Sequence, residues 1–379
     1  MLIFAFLVIT YSTANYYLYS KLTLIFSLSA PFDALLGGVI LFMTISPVLI
    51  PISSHRASER ALKLFSLAGY MWIALLVPYF TAGVVLDLYN LAARSLASEH
   101  GLRELSSYTT FIVPMLLSLA INIYGLLEAR SLCIERLVIK TVKLPEGVDR
   151  IRIAQISDLH LSVLVREGLL ERVIGIIEKE NPDIIVSTGD LVDGPFRYIS
   201  HLAGMLAKLR PRLGKYAVTG NHEIYAGISG SAGFIKEAGF TLLRGEAVTA
   251  GNAVNIAGMD FRAGETSAYN RDIPLKKEDE VLAALPDGLF TVLLKHRSDV
   301  EKESLGMFDL QLSGHTHKGQ IFPMGLATMF IFPYHTGYTE LAKGSAIYTS
   351  RGTGTTGPPV RFLSRPEVTI VDIVGETLI

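Results

Sequence analysis

The sequence has almost no cysteine. Cys133 is the only one in 379 residues, so no disulfide can form within the chain, and a reducing compartment is allowed. It also lacks a net charge of either sign: 34 basic against 35 acidic residues leave −1, with a pI near 6.8. No global basic field exists to draw in nucleic acid, and charge alone points to no partner. Asp, Glu, Lys and Arg are missing altogether from four long stretches, Met1–Ser20, Ala34–Ser54, Leu64–Leu86 and Leu105–Leu127. Each reaches the roughly 20 residues that a membrane-spanning helix needs. Internal repeats, low-complexity tracts and coiled-coil heptads are absent as well.

What is present is an excess of apolar residues. Half the chain is hydrophobic and the mean hydropathy is +0.40, too apolar for a typical soluble protein, so part of it belongs in lipid. Buried core helices are the alternative, but four such stretches in succession, with charges only in the gaps, favour transmembrane helices. The first stretch is amphipathic through Thr10, Ser12, Thr13, Asn15 and its tyrosines. It could be a signal peptide, although it has no basic n-region and no small-x-small cleavage site. Pro47, Pro78 and Pro114 are compatible with membrane helices, where neighbours re-satisfy the freed carbonyls. Trp72, Tyr79 and Tyr89 suit depths near an interface. With the N-terminus inside, the inner flanks hold Arg56, Arg60, Lys63, Arg130, Arg136, Lys140 and Lys143, against Lys21, Arg94 and Arg103 outside. That bias predicts a multi-pass integral membrane protein with a cytoplasmic C-terminal domain. The expected division is a transmembrane domain over 1–130 and a second domain over 131–379.

From Ser131 the texture changes. Val138–Leu144 and Arg152–Ile156 read as strands on either side of a Pro145/Gly147 turn. Val165–Lys179 has helical spacing and stops at Asn181-Pro182. Ile184–Thr188 is a short apolar strand of the kind buried on both faces. Further strands are expected at Tyr216–Thr219, Val254–Ala257, Phe290–Leu294, Leu310–Leu312, Ala346–Thr349 and Val368–Ile373, and helices at about 199–209, 231–238 and 277–285. Strands alternating with helices define an α/β layered domain.

Five polar blocks lie at the C-terminal ends of these apolar runs, where α/β sheets gather their ligands. They are Asp158-Leu159-His160, Gly189-Asp190, Gly220-Asn221-His222-Glu223, His296 and Gly314-His315-Thr316-His317. If these segments are extended, residues i and i+2 project to one side, so Asp158 with His160, and His315 with His317, can each grip one ion. Seven donors are too many for one cation but enough for two if a carboxylate bridges. Mixed imidazole, carboxylate and amide donors suit Mn, Fe, Zn or Mg. Gly189, Gly220 and Gly314 each precede a donor, where a tight turn or close backbone approach excludes a Cβ. Any block alone is weak: a His-x-His is more often a surface pair, and a lone histidine a satisfied core residue. The five in this order carry the reading.

Together the blocks resemble the calcineurin-like metallophosphoesterase superfamily, whose pattern D-x-H, G-D, G-N-H-E, H and G-H-x-H is intact here. Ile156–His160, Gly189–Gly194 and Ser313–Gln320 are similar to its membrane-associated bacterial branch called YkuE or YaeI, and the resemblance covers residues 135–375. It implies a four-layer sandwich of two mixed sheets flanked by helices. It also implies two divalent metal ions, one held by Asp158, His160 and His317, the other by Asn221, His296 and His315, with Asp190 bridging and His222 facing the scissile phosphate. The branch often has Asn-Pro after the lone histidine, whereas Arg297-Ser298-Asp299 follows here, which leaves the shape of that rim open.

Asp193 and Glu223 read either as carboxylates that fix ligands or loops, or as ordinary turn and surface acids. Arg351 could meet a phosphate or form a structural salt bridge. The apolar segment Ile321–Tyr334 reads as a core strand, or else as a lip that dips into the membrane beside the site. The expected function is a membrane-anchored phosphohydrolase cleaving a phosphodiester or pyrophosphate, with a phosphorylated substrate that could be a lipid. The UDP-2,3-diacylglucosamine pyrophosphatases of the superfamily are one resemblance of that kind. A catalytically silent membrane scaffold or sensor is the alternative, and it would be expected to lose ligands that are all kept here. A transporter or receptor would need ionisable residues in its spans, and the four stretches hold none beyond tyrosines.

Overall fold

The computed structural model describes residues 2–54, 56–100, 102–262 and 276–376. Met1, the first residue of the first apolar stretch, lies outside them. The chain divides into two compact units, Met1–Leu127 with Gly357–Phe362, and Glu128–Thr356 with Leu363–Ile379.

The first unit is built from α1 (Leu2–Phe26), α2 (Ala30–Ser53), α3 (Glu59–His100) and α4 (Ser107–Glu128). Three of these are long and apolar enough to cross a membrane, over Ala30–Ser53, Glu59–Leu96 and Ser107–Glu128. Their large side chains turn outward: Leu35, Leu41, Val48, Leu116 and Ile123 are all more than 60% exposed or at that level. That is the reverse of a water-soluble bundle and suits lipid contact. A small interior of Ala14, Leu18, Leu76 and Tyr79 joins α1 to α3, with the Trp72 indole donating to Asn15 Oδ1 at 2.8 Å. The helices run past the uncharged stretches and take in paired charges. Lys21 Nζ lies 2.6 Å from Asp87 Oδ1, and the Tyr17 hydroxyl donates to Asp87 at 2.7 Å. Gly357–Phe362 joins this unit through Arg361 N–H, which donates to Gly125 O at 3.0 Å.

The second unit runs β1 (Cys133–Thr141), β2 (Arg150–Ile156), β3 (Leu161–Ser162), α5 (Glu167–Glu180), β4 (Ile184–Ser187), β5 (Val192–Gly194), α6 (Phe196–Ile199) and α7 (His201–Leu206). It continues through β6 (Lys215–Ala217), α8 (Asn221–Ala226), α9 (Ile228–Glu237), β7 (Thr241–Leu242), β8 (Glu246–Ala250), β9 (Val254–Met259), α10 (Glu278–Ala283) and β10 (Phe290–Lys295). Then come β11 (Leu310–Ser313), α11 (Met324–Ile331), β12 (Gly337–Glu340), β13 (Ala346–Thr349) and β14 (Glu367–Gly375). Two six-stranded mixed sheets result, ordered β1-β14-β2-β4-β6-β7 and β12-β13-β11-β10-β9-β8.

Side-chain alternation explains the layering. In β2 and β4, Ile151, Ile153, Ile184 and Val186 point into the core between the sheets, against Val254, Ile256, Val292, Leu294, Leu310 and Leu312. Their neighbours Ala154, Ile156 and Ile185 point the other way, onto Leu170, Val173 and Ile177 of α5 and Leu202 and Leu206 of α7. Both faces are covered, which is why these strands read as unbroken apolar runs. A third core, with Ala257 and Leu293 against Val281 and Leu282 of α10, closes the far side. The unit is therefore a four-layer α/β sandwich. Helix α5 ends where expected, because Asn181 adopts a left-handed φ of 45° and its N–H caps Ile177 O.

One expectation fails outright. Ile321–Tyr334 is not a core strand; its centre is the helix α11, no residue of which is buried. Apolar character alone cannot tell a strand from a helix over eight residues.

Candidate metal centre

All five polar blocks meet at one end of the two sheets, because each follows a strand whose direction is set by parallel pairing: β2 with β4, β4 with β6, and β10 with β11. Backbone hydrogen bonds hold the loops together. Asp158 N–H donates to Gly189 O, His160 N–H to Asp190 O, and Gly314 N–H to His296 O. The loops are not extended. Asp158, His160, Asp190, His315 and His317 all have φ between 48° and 74°, in the left-handed region that non-glycine residues seldom enter. Strain of this kind, of order 1–3 kcal/mol per residue, gathers at functional sites.

This conformation removes the premise of alternation and separates His315 from His317, while Asp158 and His160 still share a donor group. His315 and His317 do not share a partner: His315 Nδ1 lies 3.1 Å from His296 Nε2, while His317 Nε2 lies 3.0 Å from His160 Nε2. The C-terminal block thus splits between two groups. In one, Asp158, His160 and His317 bring a carboxylate oxygen and ring nitrogens within 4.8 Å of one another; in the other, Asp190, His296 and His315 do the same. Asn221 Oδ1 adds a donor 3.2 Å from His296 Nε2. Asp190 Oδ2 sits between the groups, 3.3 Å from His296 Nε2 and 3.8 Å from His160 Nε2.

The glycines earlier in each block act by close approach. A Cβ on Gly220 would strike the Asp190 carboxylate, and one on Gly314 would strike Ser157 and Asp158. Gly189 is additionally at φ 94°.

The carboxylates expected to support ligands both take that role, Glu223 fully buried and Asp193 half-buried. Asp193 Oδ1 lies 2.7 Å from His160 Nδ1 and 2.8 Å from His222 Nδ1, so it clamps both rings. Glu223 accepts backbone N–H bonds from Asp190, Leu191, Val192 and Gly220 at 2.6–3.2 Å and ties the second block to the third. Arg351 pairs with Glu135 and Glu367, the salt-bridge alternative. Ser364, which the sequence does not single out, donates its hydroxyl to His317 O, while Glu128 accepts the N–H groups of Leu363 and Ser364.

The chemistry of the donor set shows whether a cation fits. His296 Nδ1 faces the Thr188 carbonyl at 2.8 Å; a carbonyl only accepts, so Nδ1 carries the hydrogen and Nε2 presents a lone pair. That lone pair points at Asn221 Oδ1 and Asp190 Oδ2, both acceptors. His160 repeats the pattern, its Nδ1 held by Asp193 and its Nε2 facing His317 and Asp190. Converging lone pairs repel unless a positive charge lies among them, so these residues fit divalent metal. Protonation is the other remedy. Burial opposes a charge on His296, but Asp190 and Asp158 outweigh it and push its pKa up to about 9. His315 goes down to about 3, through burial and then the neighbouring His296. Burial likewise opposes ionised Asp190, yet the facing imidazoles bring it down to about 2 and hold Asp158 and Asp193 below the usual carboxylate range.

His222 differs from the rest. Its side chain is 27% exposed, whereas those of His160 and His296 are fully enclosed. Nδ1 is taken by Asp193, which leaves Nε2 on the Asp190 side of the ring, 3.9 Å from Asp190 Oδ2. Burial works against its imidazolium, but Asp193 and Asp190 raise its pKa to about 10.

A two-sheet sandwich with carboxylates, an amide and imidazoles converging at the strand ends defines a metallophosphoesterase. This chain belongs to the calcineurin-like phosphoesterase family, whose model matches residues 151–319. A protein described as an uncharacterized metallophosphoesterase of Aquifex aeolicus (strain VF5) is 43% identical over 263 residues, 69% of this chain and 99% of the relative. YkuE of Bacillus subtilis (strain 168), likewise described as an uncharacterized metallophosphoesterase, is 36% identical over 248 residues, 61% of this chain and 82% of its own. A transmembrane protein with metallophosphoesterase domain of Danio rerio is 28% identical over 316 residues, covering 80% of this chain and 71% of the relative. That share exceeds the phosphoesterase unit alone, so the likeness reaches into the helical unit. Together with its own apolar helices, this makes the chain a membrane-associated metallophosphoesterase.

Proposed function

We propose that this protein is a multi-pass membrane phosphohydrolase, with a transmembrane domain over residues 1–130 and a cytoplasmic phosphoesterase domain over 131–379 that uses two divalent cations to cleave a phosphodiester or pyrophosphate bond. The observation that carries the reading is the pair of donor groups on either side of Asp190. Asp158, His160 and His317 would hold one ion, and Asn221, His296 and His315 the other, with the Asp190 carboxylate shared. Mn, Fe, Zn or Mg all suit such donors. Bound there, divalent cations supply Lewis acidity toward phosphoryl oxygens and a nucleophile at neutral pH.

The chain's own residues do the rest. Asp193 fixes the His160 and His222 rings through their Nδ1 atoms. His222 Nε2, the ring nitrogen not taken by Asp193, holds a proton for the departing oxygen. Glu223 locks the backbone that carries Asp190 and Asn221, so that the donors need not reorganise when substrate arrives. The preference of basic residues for the inner flanks supports the cytoplasmic placement. A lipid such as UDP-2,3-diacylglucosamine is one substrate of the required kind. A silent scaffold is disfavoured because no donor and no His222 equivalent has been lost.

The reading is tested by metal analysis of the purified full-length protein. Two equivalents of divalent metal per chain are expected, falling to one or none in Asp190→Ala. A folded wild-type protein that takes up no more than one equivalent under saturating Mn would exclude the two-metal assignment.

A further inference from the structure

The chain leaves the His315/His317 block and makes an eight-residue helix, α11, of sequence Met-Gly-Leu-Ala-Thr-Met-Phe-Ile. No charge interrupts it and no side chain in it is buried. Phe330 is 90% exposed, Met329 55% and Ile331 52%, with Leu326, Met324 and Phe322 also open. A contiguous apolar surface of this kind on a folded domain marks a site of association. It is also joined to the metal centre. The Phe332 ring, which follows the helix, lies 5.4 Å from the His315 ring, and the Arg297 guanidinium stands over Phe332 at 5.8 Å.

We propose that α11 is a lipid-inserting lip: its apolar side chains enter the bilayer next to the metal centre, so that the phosphate substrate is carried by a membrane lipid whose chains lie along the helix. The substrate half of this inference rests on the phosphohydrolase reading above; the insertion half does not. Three observations favour a bilayer over a protein partner. The same chain carries three helices of spanning length. Only residues 129–132 separate the end of α4 from β1, so the phosphoesterase domain is tethered to an apolar helix of spanning length by a four-residue connection. Arg297 stands over Phe332 just past the end of the helix, and Lys318 precedes the helix by six residues, so cationic side chains that favour anionic headgroups lie beside it in sequence.

The test uses the full chain, reconstituted into vesicles of phosphatidylethanolamine and phosphatidylglycerol. Cys133→Ser removes the native thiol, and Phe330→Cys takes an environment-sensitive nitrobenzoxadiazole dye. Insertion predicts blue-shifted emission that lipids spin-labelled on the acyl chain quench, while the same dye at Arg212→Cys stays aqueous and unquenched. Unquenched, water-like emission at position 330 would overturn the proposal, and so would shielding by a second copy, seen as blue-shifted but unquenched emission together with disulfide crosslinking of the unlabelled Phe330→Cys protein between chains. The kinetic arm compares bis(p-nitrophenyl) phosphate with a p-nitrophenyl phosphodiester of a diacylglycerol in the same vesicles. Met329→Ser with Phe330→Ser should raise KM for the lipid ester at least about tenfold more than KM for the soluble ester, the size expected for losing two buried apolar side chains. Equal effects on both would remove the substrate half. If the wild type cleaves neither ester, the phosphodiesterase form of the phosphohydrolase reading falls, and quenching still decides insertion.

Discussion

Asp193 clamps two histidines with one oxygen, and both depend on it for their tautomer. Asp193→Asn would leave the volume unchanged but present an amide to rings that need a carboxylate. Activity and metal affinity should each fall by about 10–100-fold, read as kcat against metal concentration. An Asn variant with wild-type metal dependence would show that the clamp is ornamental. Glu223 makes a different contribution, since its two oxygens accept four backbone N–H bonds in a dry pocket. Glu223→Gln turns one acceptor into a donor facing donors, so the phosphoesterase unit should lose on the order of 2–4 kcal/mol in urea denaturation followed by intrinsic fluorescence. A loss under about 0.5 kcal/mol would mean that the loop backbones hold each other without it. At this scale the sequence was highly legible. The seven donors and His222 stand in blocks that survive as a pattern, and the structure brings all eight together. Asp193 and Glu223 could only be read as acids beside the blocks, because nothing in a sequence says that one carboxylate oxygen reaches two rings. Ser364 was invisible, since it reaches His317 from 47 positions away.

At the scale of elements, apolar runs located most of the longer strands of the two large sheets and missed short or largely unburied ones. β8 and β12, with few or no buried residues, and β3, β5 and β7, only two or three residues long, left no periodicity to read. Local extension was the wrong premise for the ligand loops, because left-handed backbone at Asp158, His160, Asp190, His315 and His317 is enforced by hydrogen bonds between loops. The outer face of the first sheet carries its own electrostatic clasp. Arg152 on β2 pairs with Asp372 on β14 at 2.7 Å and with Glu180 at the end of α5 at 3.2 Å. Hydrogen bonds and charge from Arg152 lower Asp372, and those from Arg136, with Arg152 adding charge, lower Glu180. Both folded pKa values lie below their unfolded values of about 4, so this contribution is present at neutral pH and is lost as pH falls from there through the folded values. Arg152→Met should therefore lower stability at pH 7 and flatten its decline as pH falls below about 4. An unchanged acid limb in pH-dependent melting would remove the clasp from the account.

For the whole molecule, the division of labour is between outward-facing apolar helices and a sandwich whose one open end collects the charge chemistry. Because metal would bind the folded donor set and not the unfolded chain, chelation should lower the melting temperature of the phosphoesterase unit, with recovery on adding Mn. Calorimetry with and without EDTA checks this; coincident transitions would argue that the donor groups are filled by protons instead. The proposed cytoplasmic placement of the phosphoesterase domain rests on basic residues in short loops, and cysteine accessibility in sealed vesicles tests it: a phosphoesterase domain labelled from the outside would overturn it.

The most direct test of the central claim is hydrolysis of bis(p-nitrophenyl) phosphate by full-length protein in detergent, with Mn or with EDTA, beside Asp190→Ala and His222→Ala. The account predicts turnover that requires Mn, is abolished in Asp190→Ala, and falls by about 10²–10⁴-fold in His222→Ala as expected for a lost proton donor. Turnover that survives EDTA and both substitutions would contradict it.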